Sequence, residues 1–282
     1  MLRTVTVGLD GSPESLAAAD WAAREALFRA AALRLVHVGE QPPYAYVPFA
    51  AETVPPPGAD RSANMLREVP ASLTHRYPGL LITAEQASGQ PTKVLAAEAK
   101  DAELLVLGSR GLGRTAGLLL GSVALAVVAR AEAPVVLVRA EAEGADERLP
   151  DTAGTAAAAT SFRDVVVGLD LHAPDDTVLE FAFNAAVRRA AVLRVVHGWS
   201  LQARAELTDT LRPWREKFPG VEVTEEAVIG QAGPHLVDAS RSASLVVVGR
   251  RNRHVPIGTH IGPVTNAVLH HAVAPVAVVP HD

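Results

Sequence analysis

A glycine-rich loop between a strand and a helix is the feature of this sequence best suited to binding a ligand. The apolar run Leu104–Leu107 predicts a strand buried on both faces, and it leads directly into Gly108. A new helix is predicted to begin at Gly121-Ser122, with Ser122 as its N-cap. The first N–H groups of a helix lack intrahelical partners and lie at the positive end of its dipole, so they favour an anion. The pattern predicts a site for the phosphates of a nucleotide.

The glycine spacing of this loop differs from the better-known phosphate-binding patterns. A Walker loop requires a lysine before its Ser or Thr, and no lysine precedes Ser122. The dinucleotide fingerprint GxGxxG is also absent after the first strand. The spacing found is glycine, two residues, glycine, nine residues and glycine-serine, at Gly108, Gly111, Gly121 and Ser122. The loop also contains Arg110, Gly113 and Arg114. Its two arginines are suited to offset the charge of a polyphosphate.

The composition excludes several classes of function. The chain has 282 residues, enough for two domains, and 49% are apolar and 20% charged, an ordinary globular balance. A net charge of -5 with scattered basic residues gives no footprint for nucleic acid. The absence of cysteine excludes disulfides and thiolate sites. The first strand follows three residues from the start, and the longest helical apolar run, 116–129, is shorter than the roughly 20 residues a bilayer needs. We expect a cytoplasmic protein without a membrane partner.

Strands and helices alternate along the first 140 residues. Strands are predicted at 4–9, 33–38, 80–87, 104–107 and 135–138. The helices between them require right-handed crossovers and therefore a parallel sheet covered on both faces. Pro-rich residues 41–60 are predicted to form an excursion from this pattern. The first half is thus predicted to be a doubly wound α/β unit.

The same pattern then occurs a second time. Asp10, after the first strand, aligns with Asp170 at a shift of 160, and Gly108 aligns with Gly249 at a shift of 141. The difference of 19 residues nearly matches the Pro-rich excursion, which the second copy lacks. The sequence therefore predicts a tandem duplication, with domains at 1–140 and 162–282 and a linker at 141–161.

The repeat and the glycine spacing together resemble the universal stress protein family. The resemblance implies two tandem Rossmann-like domains, each a five-stranded parallel sheet in the order 3-2-1-4-5. It implies an adenine nucleotide, ATP, as the cofactor, and any Mg²⁺ is expected to be carried on the phosphates. It also implies a regulatory role in stress response rather than fast catalysis. A slow ATPase or phosphotransferase and a nucleotide-free dimeric scaffold are the alternatives.

The predicted binding residues of the first copy lie where strands one and four end. Asp10 is the first polar residue after the first strand. The resemblance implies that it contacts adenosine, and the alternative is that it caps the helix that follows. Val38 has two equally weighted interpretations: a contact with adenine, which the resemblance implies, or a residue of the hydrophobic core. The predicted set is Leu9, Asp10, Val38, Gly108, Arg110, Gly111, Gly113, Gly121, Ser122 and Val123. No catalytic residue and no dedicated metal ligand is predicted.

The second copy departs from the signature. Asn252 stands at the position of Gly111, and Gly262-Pro263 stands at the position of Gly121-Ser122. Proline suits the first position of a helix, but it removes an N–H donor and the serine hydroxyl. A second, weaker site is therefore predicted at Asp170, Gly249, Arg250, Arg251 and Gly262.

Each copy ends in an apolar strand introduced by proline, Val135–Val138 and Val276–Val279. An open apolar edge strand invites pairing. In the family that the chain resembles, these last strands pair antiparallel across a two-fold axis. We therefore expect the two copies to pair with each other inside one chain, and the residues leave a further homodimer open.

Overall fold

The structure, a computed structural model, describes residues 3–39, 59–109, 120–140, 147–149, 161–198, 203–252 and 261–282. The first half contains β1 (Thr4–Leu9), α1 (Pro13–Arg29), β2 (Ala32–Gly39), α2 (Ala59–Arg76), β3 (Ile82–Ser88), α3 (Pro91–Asp101), β4 (Leu104–Ser109), α4 (Ser122–Arg130) and β5 (Val135–Arg139). The second half contains β6 (Asp164–Leu169), α5 (Asp176–Arg189), β7 (Leu193–Gly198), α6 (Ala203–Lys217), β8 (Val223–Val228), α7 (Ala232–Ala239), a 3₁₀ turn (Ser240–Ser242), β9 (Ala243–Arg251), α8 (Pro263–His271) and β10 (Val276–His281). Of the Pro-rich excursion predicted at 41–60, residues 41–58 lie outside the described residues. Residues 59 and 60 belong to α2.

All ten strands belong to one sheet, in the order β3-β2-β1-β4-β5-β10-β9-β6-β7-β8. Within each half the five strands are parallel and follow the order 3-2-1-4-5. The predicted doubly wound α/β fold is therefore confirmed. One hydrophobic cluster lies between the sheet and α1, α2, α5 and α6, and a second lies between the opposite face and α3, α4, α7 and α8.

Within the described part of the sheet, the two halves are joined by one antiparallel pair of strands. Strand β5 pairs with β10, so that Val136 lies opposite Ala277 and Leu137 opposite Val276. These side chains are buried, and Val278 is 1% exposed. The pairing expected between the last strands of the two copies is confirmed. It satisfies the backbone groups of two edges that would otherwise be open to other chains.

Helix α1 begins directly after Ser12, which is its N-cap. The Ser12 side chain accepts a hydrogen bond from the Ser15 N–H at 3.2 Å, and Pro13 occupies the first helical position. The helix ends at Ala30, whose backbone is left-handed with φ 49°. Ala190 ends α5 in the same way, with φ 46°. The repeat thus preserves the helix end but, as described below, not the helix start.

Charged side chains are buried where α1 packs on α5. Glu25 Oε2 lies 2.8 Å from Arg189 Nη2, and both side chains are 1% exposed. Glu25 Oε1 also lies 2.7 Å from Arg29 Nε, and Arg29 Nη1 lies 2.7 Å from Glu103. Burial raises the pKa of Glu25, but Arg189 and Arg29 lower it by more, so its pKa lies below the ordinary value of 4.5. In the folded protein Glu25 is therefore ionised, and its carboxylate forms ion pairs with two arginines, one from each half.

Two arginines also link the halves reciprocally on either side of the β5–β10 pair. Arg250, on β9, donates to the carbonyl of Ala131 at the end of α4. Arg139, on β5, donates to the carbonyl of His270 in the last turn of α8 at 2.8 Å. Each cation meets the negative end of a helix from the other half, which is a favourable position for it.

The described part of the linker is held by both backbone and side-chain contacts. The Leu149 N–H donates to the Ser161 carbonyl, and the Arg163 N–H donates to the Glu147 carbonyl, both at 2.8 Å. The Glu147 carboxylate lies 2.7 Å from Arg24 of α1. Burial raises the pKa of Glu147. Residues 147–149 therefore join the end of the linker to the first helix of the chain.

The buried Glu25 pair generates a stability prediction. Glu25→Gln leaves Arg189 and Arg29 buried without their carboxylate, so the free energy of unfolding is expected to fall by about 3–5 kcal/mol. Urea unfolding followed by circular dichroism measures it. The matched control is Asp238→Asn, because the Asp238–Arg241 pair is 86% and 70% exposed and is expected to contribute less than about 1 kcal/mol. Equal losses in the two variants would contradict a special role for the buried pair.

The same pair predicts a dependence on pH. Because the folded pKa of Glu25 is depressed below 4.5, the stabilisation it gives is fully present above that value. It is lost as the pH falls further, through the folded pKa. The difference in unfolding free energy between the wild type and E25Q is therefore expected to be constant from pH 7 to about pH 5 and to shrink in more acidic buffer. A difference that grows on acidification would refute the assignment.

Candidate functional site

A cavity of about 570 Å³ opens at the carboxyl ends of β1 and β4, between which the strand order reverses. This is the place where open α/β sheets bind ligands. Seven of the ten residues predicted for the first site line it, namely Leu9, Asp10, Val38, Gly108, Gly121, Ser122 and Val123. The other three, Arg110, Gly111 and Gly113, lie outside the described residues. The ends of three strands, β1, β2 and β4, thus meet the start of α4 at one cavity.

The start of α4 differs by one residue from the prediction. Gly121, not Ser122, is the N-cap, with φ −55° and ψ 134°, and Ser122 is the first helical residue. The reason is that the Gly121 carbonyl already accepts the first helical bond, from the Leu125 N–H at 3.0 Å. No side chain caps this helix. The N–H groups of its first turn therefore have no intrahelical partner, and the three residues that carry them, Ser122, Val123 and Ala124, all line the cavity.

Asp10 is anchored at the end of β1 by a tight local turn. Its Oδ1 accepts hydrogen bonds from the Ser12 N–H at 2.9 Å and from the Ser12 hydroxyl at 2.5 Å. Ser12, not Asp10, is the residue that caps α1. Burial raises the pKa of Asp10, but the hydrogen bonds from Ser12 and Ser15 lower it by more, so its pKa lies below the ordinary 3.8. Asp10 is therefore an ionised acceptor held in place by the helix cap.

Gly108 is required by packing as well as by any ligand. A Cβ at this position would lie 2.6 Å from the Glu14 carbonyl carbon and 2.7 Å from the Ser15 nitrogen, both backbone atoms of α1. Gly121 is different, because a Cβ there would meet nothing within 4 Å. The first glycine lets α1 lie against the end of β4, and the second stands beside open space at the start of α4.

His37 holds the strand ends together. Its Nδ1 donates to the Leu9 carbonyl at 2.8 Å, and its Nε2 accepts from the Ser62 hydroxyl of α2 at 3.0 Å. The imidazole thus fixes the last residue of β1 immediately before Asp10.

A second cavity of about 460 Å³ lies at the equivalent place in the other half. All five residues predicted for the weaker site line it: Asp170, Gly249, Arg250, Arg251 and Gly262.

Helix α5, beside this cavity, starts later in the repeat than α1 does. A shift of 160 places Pro13 of α1 at Ala173, but α5 begins at Asp176 because Asp175 is its N-cap. The Asp175 carboxylate accepts from the N–H groups of Thr177 and Val178, at 2.8 and 3.2 Å.

Arg250, which is predicted for the weaker site, lines the second cavity and also contacts the other half. Its guanidinium donates to the Ala131 carbonyl of the other half, and burial lowers the pKa of Arg250. Side chains alternate between the two faces along a strand, so Arg250 points away from the direction of its neighbours Gly249 and Arg251. Arg251 is exposed and lines the cavity. Both arginines therefore line the second cavity, and the guanidinium of Arg250 is in addition hydrogen-bonded to the other half.

The chain is similar to known proteins in both sequence and fold. The sequence model of the Universal stress protein family matches residues 1–139 and 199–280. The chain belongs to the universal stress protein family. A universal stress protein of Mycobacterium tuberculosis is 33% identical over 295 residues, covering 97% of this chain and 96% of the relative. A relative of the same name from Mycolicibacterium smegmatis is 29% identical over 297 residues, covering 98% and 96%. The solved structure of a universal stress protein from Archaeoglobus fulgidus matches with a TM-score of 0.74 over 99% of this chain and 98% of that chain, at 16% identity, which supports the fold.

Sequence reasoning missed several cavity residues of this universal stress protein. In the first cavity these are Ser12, Glu14, Ser15, Pro91 and Leu95, and in the second Asp175, Thr265 and His281. Ser12 and Glu14 belong to the segment Ser12-Pro13-Glu14, which is typical of a helix start. That pattern predicts a helix and says nothing about a ligand. Among the described residues no group of three or more His, Cys, Asp or Glu is arranged to hold a metal ion. No helix in the described ranges has the length and apolar character needed to cross a membrane.

The close approach at Gly108 gives a prediction for this universal stress protein. Gly108→Ala forces the backbone of α1 away from β4, so the free energy of unfolding is expected to fall by about 1–3 kcal/mol, as in other overpacked sites. Chemical denaturation measures it. Gly220→Ala is the control, because a Cβ at Gly220 meets nothing within 4 Å, and no loss of stability is expected there. A Gly108→Ala variant as stable as the wild type would show that α1 moves freely at this point.

Proposed function

We propose that this universal stress protein is a cytoplasmic regulatory module of stress response that binds ATP in its first cavity. The observation that carries the proposal is the uncapped start of α4, which opens into the cavity that Asp10 lines. The cavity volume, about 570 Å³, lies within the usual range for small-molecule sites. The glycine spacing that resembles the family signature is centred on the same helix start.

In this proposal the phosphates bind at the start of α4. The free N–H groups of Ser122, Val123 and Ala124 and the Ser122 hydroxyl are the donors, and the positive end of the helix dipole adds to them. Hydrogen bonds to a charged partner contribute about 1.5–3 kcal/mol each. Any Mg²⁺ is carried on the phosphate oxygens, with no dedicated set of protein ligands.

The nucleoside is assigned to the strand ends on the other side of the cavity. Asp10 is an ionised acceptor for a ribose hydroxyl, and the Ser12 cap holds its carboxylate in place. Leu9, Val36 and Val38 line the cavity nearby and offer apolar surface for a base. The sugar and the phosphates are thus bound by different elements, β1 and α4.

The lining supports binding more than chemistry. The described acidic groups of the cavity are Asp10 and Glu14, whereas α4 contributes backbone N–H groups, one hydroxyl and apolar side chains. Asp10 is engaged by Ser12 and is assigned to the sugar. ATP is therefore proposed to change the shape or the partners of the protein. A turnover above about 1 s⁻¹, within the ordinary enzyme range, would favour an ATPase or phosphotransferase instead.

The start of α4 allows a substitution that tests the phosphate contact without disturbing the fold. In Ser122→Pro the proline occupies the first helical position, where the N–H has no intrahelical partner, and the extended ψ of Gly121, 134°, suits a residue before proline. One donor N–H and the hydroxyl are lost. The ATP dissociation constant, measured by titration calorimetry, is expected to rise roughly tenfold to more than a hundredfold.

Two further measurements make this test sharp. Ser122→Ala, which loses the hydroxyl and keeps the N–H, is expected to give a smaller rise in the dissociation constant, and both variants are expected to keep the melting temperature of the wild type. Mass spectrometry of small molecules released from freshly purified protein is expected to show an adenine nucleotide. An unchanged ATP affinity in Ser122→Pro would remove α4 from the site.

A further inference from the structure

The second cavity matches the first at one end and differs from it at the other. We propose that it binds an uncharged nucleoside, such as adenosine, and discriminates against nucleoside polyphosphates. This inference rests on the roles proposed above for Asp10 and α4, because it transfers them to the repeat-equivalent residues. The end assigned to the sugar is kept in the second cavity, and the end assigned to the phosphates has fewer hydrogen-bond donors.

The sugar end of the second cavity repeats the geometry of the first. Asp170 Oδ1 accepts the N–H of His172 at 3.0 Å, just as Asp10 Oδ1 accepts the N–H of Ser12 at 2.9 Å. Leu169 and Leu236 line the second cavity at the positions that Leu9 and Leu95 hold in the first. A carboxylate acceptor beside an apolar wall is therefore common to both.

The second cavity is open at the position where Val38 stands in the first. Gly198 stands at the repeat-equivalent position of Val38, and a Cβ at Gly198 would meet nothing within 4 Å. The volume of about 460 Å³ is within the usual range for a small-molecule site. A nucleoside therefore meets an apolar wall, an acceptor and open space.

The phosphate end has fewer donors than in the first cavity. Pro263 occupies the first position of α8, so neither an N–H nor a hydroxyl is available where Ser122 provides both. Thr265 lines the cavity, but its hydroxyl donates to the Gly249 carbonyl at 2.8 Å. The start of α8 therefore offers fewer hydrogen bonds to an anion than the start of α4.

The position of one carboxylate in the second cavity also disfavours a polyphosphate. Asp175 replaces Ser15, and its carboxylate already occupies the anion position at the start of α5 by accepting from Thr177 and Val178. Each cavity has two acidic residues among the described residues of its lining, Asp10 and Glu14 in the first and Asp170 and Asp175 in the second, so the cavities differ in the placement of these groups and not in their number. Asp175 Oδ2 lies 3.5 Å from His281 Nδ1, and the Arg250 guanidinium is bound to Ala131. Arg251 is the other arginine among the described lining residues. Ribose hydroxyls can donate hydrogen bonds to the carboxylates of this lining, whereas ionised phosphate oxygens cannot.

Equilibrium dialysis of the full chain with labelled ATP and labelled adenosine tests the inference. We expect one ATP to bind per chain, with any second ATP roughly tenfold to more than a hundredfold weaker, as the loss of one N–H donor and one hydroxyl implies. Adenosine is expected to bind at one site per chain even when saturating ATP fills the first cavity. Asp170→Asn is expected to abolish this ATP-insensitive adenosine binding. The matched variant Asp10→Asn is expected to keep it and to weaken ATP.

A second variant tests the converse and does not depend on the loss of a carboxylate. The double substitution Asp175→Ser with Pro263→Ser restores the residue types of the first cavity, and it is expected to raise bound ATP from one to two per chain. Two ATP molecules of similar affinity in the wild type would overturn the inference, as would adenosine that ATP displaces completely. The two proposals fail separately: no ATP binding, with adenosine binding that Asp170→Asn removes, would refute the first cavity alone.

Discussion

The antiparallel pairing of β5 with β10 is the constraint on which the rest of the structure depends. Each half would otherwise end in an exposed apolar edge strand, with unpaired backbone groups along one side. Their pairing in register, Val136 opposite Ala277, satisfies those groups and relates the halves by a pseudo-two-fold axis. The axis in turn determines that α1 meets α5, and it places the two cavities at equivalent positions on either side of the joint.

The charged groups near the axis are consequences of this arrangement. Removing Glu25 and Arg189 from water is costly, and only close pairing with further hydrogen bonds offsets that cost. Glu25 meets this condition with two arginines, one from each half. Arg250 and Arg139 add a reciprocal link between each half and a helix end of the other. Arg250 thus belongs both to this link and to the lining of the second cavity.

The fold and most of the candidate site could be predicted from the sequence because both depend on local patterns and on the repeat. Alternating strands and helices determine a parallel sheet, and the repeat-equivalent residues Asp10 and Asp170 mark the two strand ends. The remaining features depend on tertiary context. The backbone of Gly121 decides which residue caps α4, and the partner of Arg250 lies 119 positions away. The start of α5 moved because Asp175 is a strong N-cap where the first copy has Ser15.

The covalent joining of the two copies has an evolutionary consequence. In a homodimer of single-domain chains, every substitution occurs twice and changes both cavities together. Here a residue such as Pro263 occurs once, while the antiparallel joint keeps the halves together at any dilution because both edge strands belong to one polypeptide. Selection can therefore preserve the glycine signature in one cavity while the sequence of the other cavity changes. The resulting difference between the two cavities is inherited, because both copies belong to one chain.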